Sequence, residues 1–167
     1  VSLMNDCKYG YSMKDRVITQ TLIKSGTEPN LTADQEEHFF TYSLYPHAGT
    51  WREAGTVQEA LNLNVPAKAV SGAAEKDRME FLSVDKRNVV LETVKKAEDG
   101  DGIIVRLYEV ENARTKVTLY CADAILSAEE TNMLEQPAES AIDVKENEIS
   151  LTIKPYEIRT IRIRTEK

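Results

Sequence analysis

The clearest pattern in the chain is a two-residue alternation of apolar and polar side chains near its C-terminal end. The apolar positions are Ile149, Leu151, Ile153, Ile161 and Ile163, and the polar positions between and beside them are Ser150, Thr152, Lys154, Thr160, Arg162 and Arg164. Successive side chains of a strand point to opposite faces of the sheet, so both stretches predict strands with one buried face. We expect the outward Arg and Lys side chains to protect the edges of the sheet.

Similar short strands are predicted throughout the second half of the chain, at intervals of about ten residues. They cover residues 81–84, 88–97, 103–112, 116–122, 130–134, 148–153 and 156–164. The sequences DKRN, EDGDG and NART between them are turn-forming, and EDGDG between two β-rich stretches predicts a hairpin. Pro155 falls between two predicted strands rather than inside one. Residues 78–167 are therefore predicted to form a small antiparallel β-sandwich of the immunoglobulin-like type.

The first half of the chain is less regular. Val1 to Ile23 predicts a strand, a loop and a second strand at 16–23, which is apolar on both faces as in the interior of a large sheet. FFTYSLYP predicts another strand, and a helical period follows over 51–63, with Thr50 and Glu53 as a capping box. The small residues of 67–76 indicate a linker. Residues 1–70 are thus predicted to be part of a large antiparallel β-sandwich with one short helix, and the fold class is all-β.

Composition excludes several functions. The net charge is −7 and the Lys and Arg residues are scattered, so no nucleic-acid partner is expected. No apolar stretch is long enough to span a membrane, and the start of the sequence lacks the basic region followed by an apolar one that is typical of a signal peptide. Cys7 and Cys121 are far apart and lack metal spacing, which favours reduced thiols and a cytoplasmic location. Since the sequence begins at Val1 inside a predicted strand, we expect it to be a piece of a longer protein.

Candidate chemistry within the chain is sparse. His38 and His47 have no second ligand at zinc spacing, so we expect no metal site. Cys7 precedes Lys8, which could lower the pKa of the thiol, but no base is placed beside it by any motif. Acidic pairs such as Asp99 and Asp101 are interpreted as solvated surface residues. Trp51, at the start of the apolar helix face, is expected to pack in a core or an interface.

The sequence NDCKYGY, residues 5–11, is the best candidate for a binding loop. It crowds two tyrosines, an amide, a carboxylate and a lysine into seven residues. Amide and carboxylate groups hydrogen-bond sugar hydroxyls, and aromatic rings stack on the C–H faces of sugars. The alternative is a loop whose aromatic side chains pack on the sheet.

Several motifs together resemble a known family. NDCKYGY, ADQEEHFFTYSLYPHAGTWREAG, ALNLNVP, FLSVDKRNVVLETVKKAEDGDGIIVRLYE and ISLTIKPYEIRTIRIR occur in the order found in the C-terminal β region of glycoside hydrolase family 38 α-mannosidases. The bacterial and cytosolic branch is the most similar. The resemblance implies a retaining exo-α-mannosidase in which these β domains follow a catalytic α/β domain and a helical bundle.

The resemblance also implies where the chemistry lies. The catalytic zinc, held by two His and two Asp, would belong to the missing N-terminal domain, so this fragment is expected to contain no catalytic residue or cofactor and to be inactive alone. By resemblance, the loop residues near the sugar are Asn5, Asp6, Lys8 and Tyr9. The segment from His38 to Pro66 is interpreted as a scaffold that docks on the helical bundle.

Two other functions remain open from the residues alone. One is a stand-alone carbohydrate-binding β-sandwich, suggested by the tyrosine-rich loop. The other is a purely structural protein-interaction module. If the fragment comes from a larger sandwich, its first half should expose strand edges through which the isolated chain oligomerises.

Overall fold

The computed structural model describes residues 1–73 and 76–166, and the chain divides into two compact units, Val1–Gly72 and Ala73–Lys167. Within the described residues, the first unit contains β1 (Ser2–Asn5), β2 (Gly10–Lys14), β3 (Val17–Thr21), β4 (Tyr42–Tyr45) and α1 (Thr56–Asn64). Strand β1 pairs with β4, and β2 pairs with β3, both antiparallel. The loop predicted between the first two strands therefore contains β2, a strand that the sequence pattern missed.

The first unit buries little apolar surface by itself. Met4 is its one apolar residue among the buried core positions of the described chain, at 8% exposure. The hairpin β2–β3 instead exposes Met13, Val17 and Ile18. The stretch 16–23, predicted to lie inside a large sheet, is thus half of an exposed two-stranded hairpin in this chain.

The helix begins later than predicted. Thr50 and Glu53 do form a capping box, since the Thr50 N–H donates to the Glu53 carboxylate (2.7 Å) and the Glu53 N–H donates to Thr50 Oγ1 (3.3 Å). Gly55, however, adopts a left-handed conformation with φ of 66° and separates this turn from α1, which starts at Thr56. The prediction of a helix over 51–63 was wrong at its start because a glycine tolerates the left-handed backbone that interrupts it.

The second unit is a sandwich of two antiparallel sheets. Its strands are β5 (Leu82–Val84), β6 (Val89–Lys96), β7 (Ile103–Glu109), β8 (Thr115–Cys121), β9 (Ile125–Thr131), β10 (Pro137–Ala141), β11 (Asp143–Lys145), β12 (Glu148–Ile153) and β13 (Ile158–Thr165). One sheet has the order β10-β9-β13-β7-β6 and the other β11-β12-β8-β5. The all-β sandwich prediction is confirmed.

The core between these sheets comes from the alternating positions recognised in the sequence. Ile149, Ile153, Ile161 and Ile163 are fully buried, together with Val105, Leu107, Val117 and Leu119 from the neighbouring strands. Burying a side chain of this size contributes about 1.5–3 kcal/mol relative to leaving it in water. The cluster therefore supplies the main driving force for folding of the second unit.

The arginines of β13 do not protect an edge, as was predicted, because β13 lies in the middle of the five-stranded sheet. Arg162 binds Asp99 of the β6–β7 turn (2.6 Å), and Arg164 binds Asp101 of the same turn (2.8 Å). The pKa of Asp101 is lowered by its hydrogen bond from Arg164. Asp99 and Asp101 thus join the β6–β7 hairpin to β13, although both carboxylates are more than half exposed, as expected for solvated surface residues.

The strand predicted at 130–134 is also misplaced. Strand β9 ends at Thr131, and the chain turns at Asn132, whose Oδ1 accepts hydrogen bonds from the N–H groups of Leu134 (2.9 Å) and Gln136 (3.0 Å). The carboxylate of Glu135 then accepts hydrogen bonds from Lys95 Nζ (2.6 Å) and the Glu98 N–H (2.8 Å). An asparagine that caps its own turn overrides the apolar pair that suggested a strand.

A buried carboxylate holds one end of the sandwich together. Glu109, at 1% exposure, accepts hydrogen bonds from the Asn88 amide (2.9 Å), the Glu111 N–H (2.7 Å) and the Tyr156 N–H (3.0 Å). Burial by itself would raise the pKa of Glu109, but these hydrogen bonds outweigh it and the pKa is lowered. Glu109 therefore remains charged and joins three separate loops.

Candidate functional site

The predicted binding loop leaves β1 through a turn built by Asn5. The side-chain oxygen of Asn5 accepts hydrogen bonds from the N–H groups of Cys7 (3.0 Å) and Lys8. The Asn5 amide nitrogen donates to the Tyr11 hydroxyl, and the Asn5 carbonyl oxygen accepts from Asn64 Nδ2 of α1 (3.1 Å). Asn5 thus shapes the turn and ties it to the helix, so its polar atoms are already engaged within the chain.

Asp6 anchors the same turn to the segment before β4. Its two carboxylate oxygens both accept from the Thr41 N–H (3.0 Å each), while the Asp6 N–H donates to the Thr41 carbonyl oxygen (3.2 Å). The hydrogen bond from Thr41 is the main reason that the pKa of Asp6 is lowered. The carboxylate is therefore charged at neutral pH and fixes the base of the loop.

Lys8 and Tyr9 lie at the end of this braced turn. The Lys8 ammonium is 4.8 Å from the centroid of the Phe40 ring, at cation–π distance, and Phe40 stacks on Tyr42 with centroids 6.5 Å apart. The Tyr9 side chain is 92% exposed. Of the four residues chosen by resemblance, Asn5 and Asp6 build the loop, Lys8 packs over Phe40, and Tyr9 is presented to solvent.

Cys7 is unsuited to nucleophilic catalysis. Its thiol lies beside the Asp6 carboxylate, and the hydrogen bond to that carboxylate raises the pKa of Cys7, with burial as a secondary cause. Lys8 acts in the opposite direction but is the weaker influence. A thiol whose pKa is raised is mostly protonated at neutral pH and is a poor nucleophile.

Reasoning from the sequence missed three partners of the loop: Phe40, Thr41 and Asn64. The first two lie more than thirty positions along the chain, and no local motif links them to residues 5–9. Tyr11 could have been included, because it belongs to the same seven-residue motif as Asn5.

The described part of the chain lacks a set of side chains that could serve as metal ligands. Across residues 1–73 and 76–166, no group of three His, Cys, Asp or Glu side chains could hold a metal ion. His47 Nε2 is hydrogen-bonded to Ser2 Oγ (2.9 Å), and His38 Nε2 to the Asp34 carbonyl oxygen (3.0 Å). The family resemblance assigns the zinc to the N-terminal catalytic domain rather than to these residues. Nor does any described helix have the length and apolar character needed to cross a bilayer.

Comparison with known proteins finds relatives over nearly all of the chain. Residues 88–161 match the family described as "Glycosyl hydrolases family 38 C-terminal beta sandwich domain". Alpha-mannosidase 2C1 of Mus musculus is 34% identical over 167 residues, covering 96% of this chain and 16% of that protein. Alpha-mannosidase G of Dictyostelium discoideum is 35% identical over 173 residues, covering 97% and 16%.

A more distant relative shows the same relation. The protein named Alpha-mannosidase in Saccharomyces cerevisiae is 26% identical over 187 residues, covering 98% of this chain and 17% of its own length. The chain thus spans about one sixth of the length of the curated relatives it matches. The similarity to these relatives extends well beyond the family match at 88–161.

Proposed function

This chain belongs to glycosyl hydrolase family 38 as its C-terminal β-sandwich region, as its motifs predicted, and we propose that it is the non-catalytic end of an α-mannosidase. The observation that carries the proposal is the similarity to α-mannosidases over 96–97% of the chain. The longer protein would be a retaining exo-enzyme that removes terminal α-mannosyl residues in the cytoplasm, as part of mannose and oligosaccharide catabolism.

In this proposal the reaction itself belongs to residues outside the chain. A retaining glycosidase needs a carboxylate nucleophile and a second carboxyl group that acts first as acid and then as base. The acidic side chains with defined partners in this chain have structural roles. Glu109 accepts hydrogen bonds from backbone N–H groups, and Asp99 and Asp101 form ion pairs with arginines. The zinc of the family would accordingly be held in the catalytic domain.

The first unit would support that catalytic domain by docking. Its apolar side chains are mostly exposed, with Val17, Met13 and Leu44 each more than half accessible. Exposed apolar surface of this kind marks interaction sites. The N-terminal catalytic and helical domains are the proposed partners, and light scattering of the isolated chain should detect self-association through the same strands; a strictly monomeric chain would count against it.

The assay for the function uses the longer protein that contains this chain. It should release p-nitrophenol from p-nitrophenyl α-mannoside, lose that activity when a chelator removes the metal, and regain it with Zn²⁺. The 167-residue chain alone should release nothing. An enzyme that stays fully active without metal would refute the proposed mechanism, and release by the isolated chain would refute the non-catalytic role.

The loop at residues 5–9 is proposed to contribute Lys8 and Tyr9 to the substrate cleft. We expect Tyr9→Ala in the longer protein to raise KM for the aryl mannoside about 2- to 10-fold with little change in kcat. That range corresponds to losing one aromatic contact of about 0.5–1.5 kcal/mol that is made equally in the ground and transition states. Steady-state kinetics measure both constants.

Tyr120→Ala provides the matched control for Tyr9→Ala, because Tyr120 is a partly exposed tyrosine on β8 of the other unit. It should leave both constants unchanged. If the two variants have the same KM as the parent, Tyr9 does not contact the substrate and the loop has only a structural role.

A stand-alone sugar-binding module remains the second candidate, and the exposed ring of Tyr9 is the observation that favours it. Calorimetric titration of the isolated chain with mannose and with mannobiose separates the two functions. Saturable heat at millimolar sugar would support an independent binding module, and the absence of heat would remove it.

A further inference from the structure

The ammonium group of Lys8 is held by an aromatic ring rather than by a carboxylate. Lys8 Nζ lies 4.8 Å from the centroid of the Phe40 ring, and both side chains are partly buried. Within residues 1–73 and 76–166, no carboxylate forms an ion pair with Lys8. The carboxylate of Asp6, two positions earlier, accepts the Thr41 N–H instead (3.0 Å). The positive charge of Lys8 therefore has no neutralising partner within the described chain.

The fold fixes the position of the Phe40 ring relative to the loop. Asp6 and Thr41 are joined in both directions, since the Thr41 N–H donates to the Asp6 carboxylate and the Asp6 N–H donates to the Thr41 carbonyl oxygen (3.2 Å). Phe40 immediately precedes Thr41, so this pairing brings its ring to Lys8. Phe40 also stacks on Tyr42, with the ring centroids 6.5 Å apart and the ring planes inclined by 28°. Backbone hydrogen bonds and a neighbouring ring thus hold the partner of Lys8 in place.

An aromatic partner leaves a lysine able to bind a ligand. An ammonium group carries three N–H donors and no acceptor, and a carboxylate partner would occupy donors while cancelling the charge. The face of an aromatic ring attracts the cation through its quadrupole and leaves those donors available. The lysine side chain has a flexible four-carbon stem, so holding it before a ligand arrives removes part of the entropy that binding would otherwise cost.

We propose that Phe40 is a positioning residue: its ring holds the Lys8 ammonium where the N–H groups donate to a hydroxyl oxygen of the terminal mannosyl residue. The inference rests on the proposed function, in which Lys8 contributes to the substrate cleft. It adds a residue that neither the loop motif nor the family resemblance selected. Phe40 acts through Lys8 in this arrangement and does not itself contact the sugar.

The contact between Lys8 and Phe40 is tested by NMR in the 167-residue chain, where no reaction is needed. Protons above an aromatic ring resonate upfield of their usual position, so the ε-methylene signals of Lys8 should be shifted upfield in the parent chain and in Phe40→Tyr. Phe40→Leu keeps an apolar side chain but removes the ring, and should return these signals to the position of an exposed lysine such as Lys14. Lys8→Met identifies the signals by removing them. Signals that do not respond to Phe40→Leu would overturn the proposal.

The positioning role is tested by steady-state kinetics of the longer protein on p-nitrophenyl α-mannoside. Phe40→Leu should raise KM about 2- to 5-fold with little change in kcat, the range expected from one cation–π contact outside a fully buried site. Lys8→Met should raise KM at least as much, and adding Phe40→Leu to Lys8→Met should change KM no further. Phe40→Tyr should keep the parent KM because it keeps the ring face. Phe39→Leu is the matched control, since the neighbouring Phe39 is 83% exposed, and it should also leave KM unchanged.

Failure of this inference is distinguishable from failure of the proposed function. In an active α-mannosidase, an unchanged KM in Phe40→Leu or in Lys8→Met would show that the substrate does not use the held ammonium. A further rise in KM when Phe40→Leu is added to Lys8→Met would show that the ring acts by supporting the fold. If Phe40→Leu does not fold, as judged by circular dichroism, then an unchanged KM in Lys8→Met or a raised KM in Phe40→Tyr rejects the proposal. A longer protein that does not hydrolyse α-mannosides refutes the proposed function, and this substrate for Lys8 with it, even where NMR shows the contact.

Discussion

Replacing Glu109 with alanine is expected to lower the free energy of unfolding of the sandwich unit by about 3 kcal/mol or more. The substitution leaves the Asn88 amide and the N–H groups of Glu111 and Tyr156 without their shared acceptor. Each buried donor left unsatisfied costs about 1–3 kcal/mol, and water entering the space would recover part of it. Urea denaturation of the chain, followed by circular dichroism, measures the change.

Glu98→Ala is the matched control for Glu109→Ala. The Glu98 carboxylate is largely exposed and pairs with Lys95, so its loss should change stability by less than about 1 kcal/mol. Equal effects of the two substitutions would show that the buried hydrogen bonds of Glu109 do not stabilise the fold.

Because Glu109 is ionisable, the stability of the chain should depend on pH. Because the folded-state pKa of Glu109 is lowered, its contribution is fully present above the unfolded pKa of about 4.3 and is lost as pH falls through the folded value. Stability of the parent chain should therefore decline in acid, and the decline should be smaller in Glu109→Ala. A parallel decline in both proteins would assign the acid sensitivity to other carboxylates, such as Asp85, whose pKa is lowered by Lys86 and the Thr118 N–H.

Gly102→Ala should be the second strongly destabilising substitution, at about 2–4 kcal/mol. Gly102 has φ of 88°, and an added Cβ would lie 2.5 Å from the carbonyl oxygen of Ile163 and 3.1 Å from Cγ of Arg164. Both the left-handed backbone and the contact with a central strand oppose a side chain there. Thermal denaturation should show a fall in Tm of several degrees.

Gly72→Ala separates this effect from the general consequences of replacing glycine. A Cβ at position 72 meets no atom within 4 Å, and its backbone is not left-handed. Its substitution should leave stability unchanged or raise it slightly by restricting the unfolded chain. If Gly102→Ala leaves stability unchanged as Gly72→Ala does, the close approach of the β6–β7 hairpin to β13 does not constrain the fold.

The sandwich could be predicted where one face of a strand is buried. The alternation of Ile149, Leu151 and Ile153 located β12 because the period of the side chains equals that of the pleat. The central position of β13 in its sheet could not be predicted from the alternation of its side chains. Strand order depends on which strands pair across long separations, so outward arginines at the centre of a sheet look identical in sequence to arginines at an edge.

The composition of the candidate loop could be predicted, but not which of its residues support the loop and which are available to a ligand. The crowding of polar and aromatic residues at 5–11 drew attention to it, yet the sequence does not show that Asp6 binds the backbone of Thr41, 35 positions away. Asp6 was chosen for sugar binding, but this contact gives it a structural role. The resemblance carried over all four residues as a group, and the proposed substrate role of Lys8 and Tyr9 stays a prediction.

The central position of β13 also has a consequence for synthesis. Strand β13 is the last of the described strands to leave the ribosome, yet β7 and β9 each pair with it rather than with one another. Until residues 158–165 emerge, β6–β7 and β9–β10 are two separate hairpins with unpaired edges, and hairpins alone are barely stable in water. Translation that stops before residue 158 would therefore release a chain whose larger sheet cannot close.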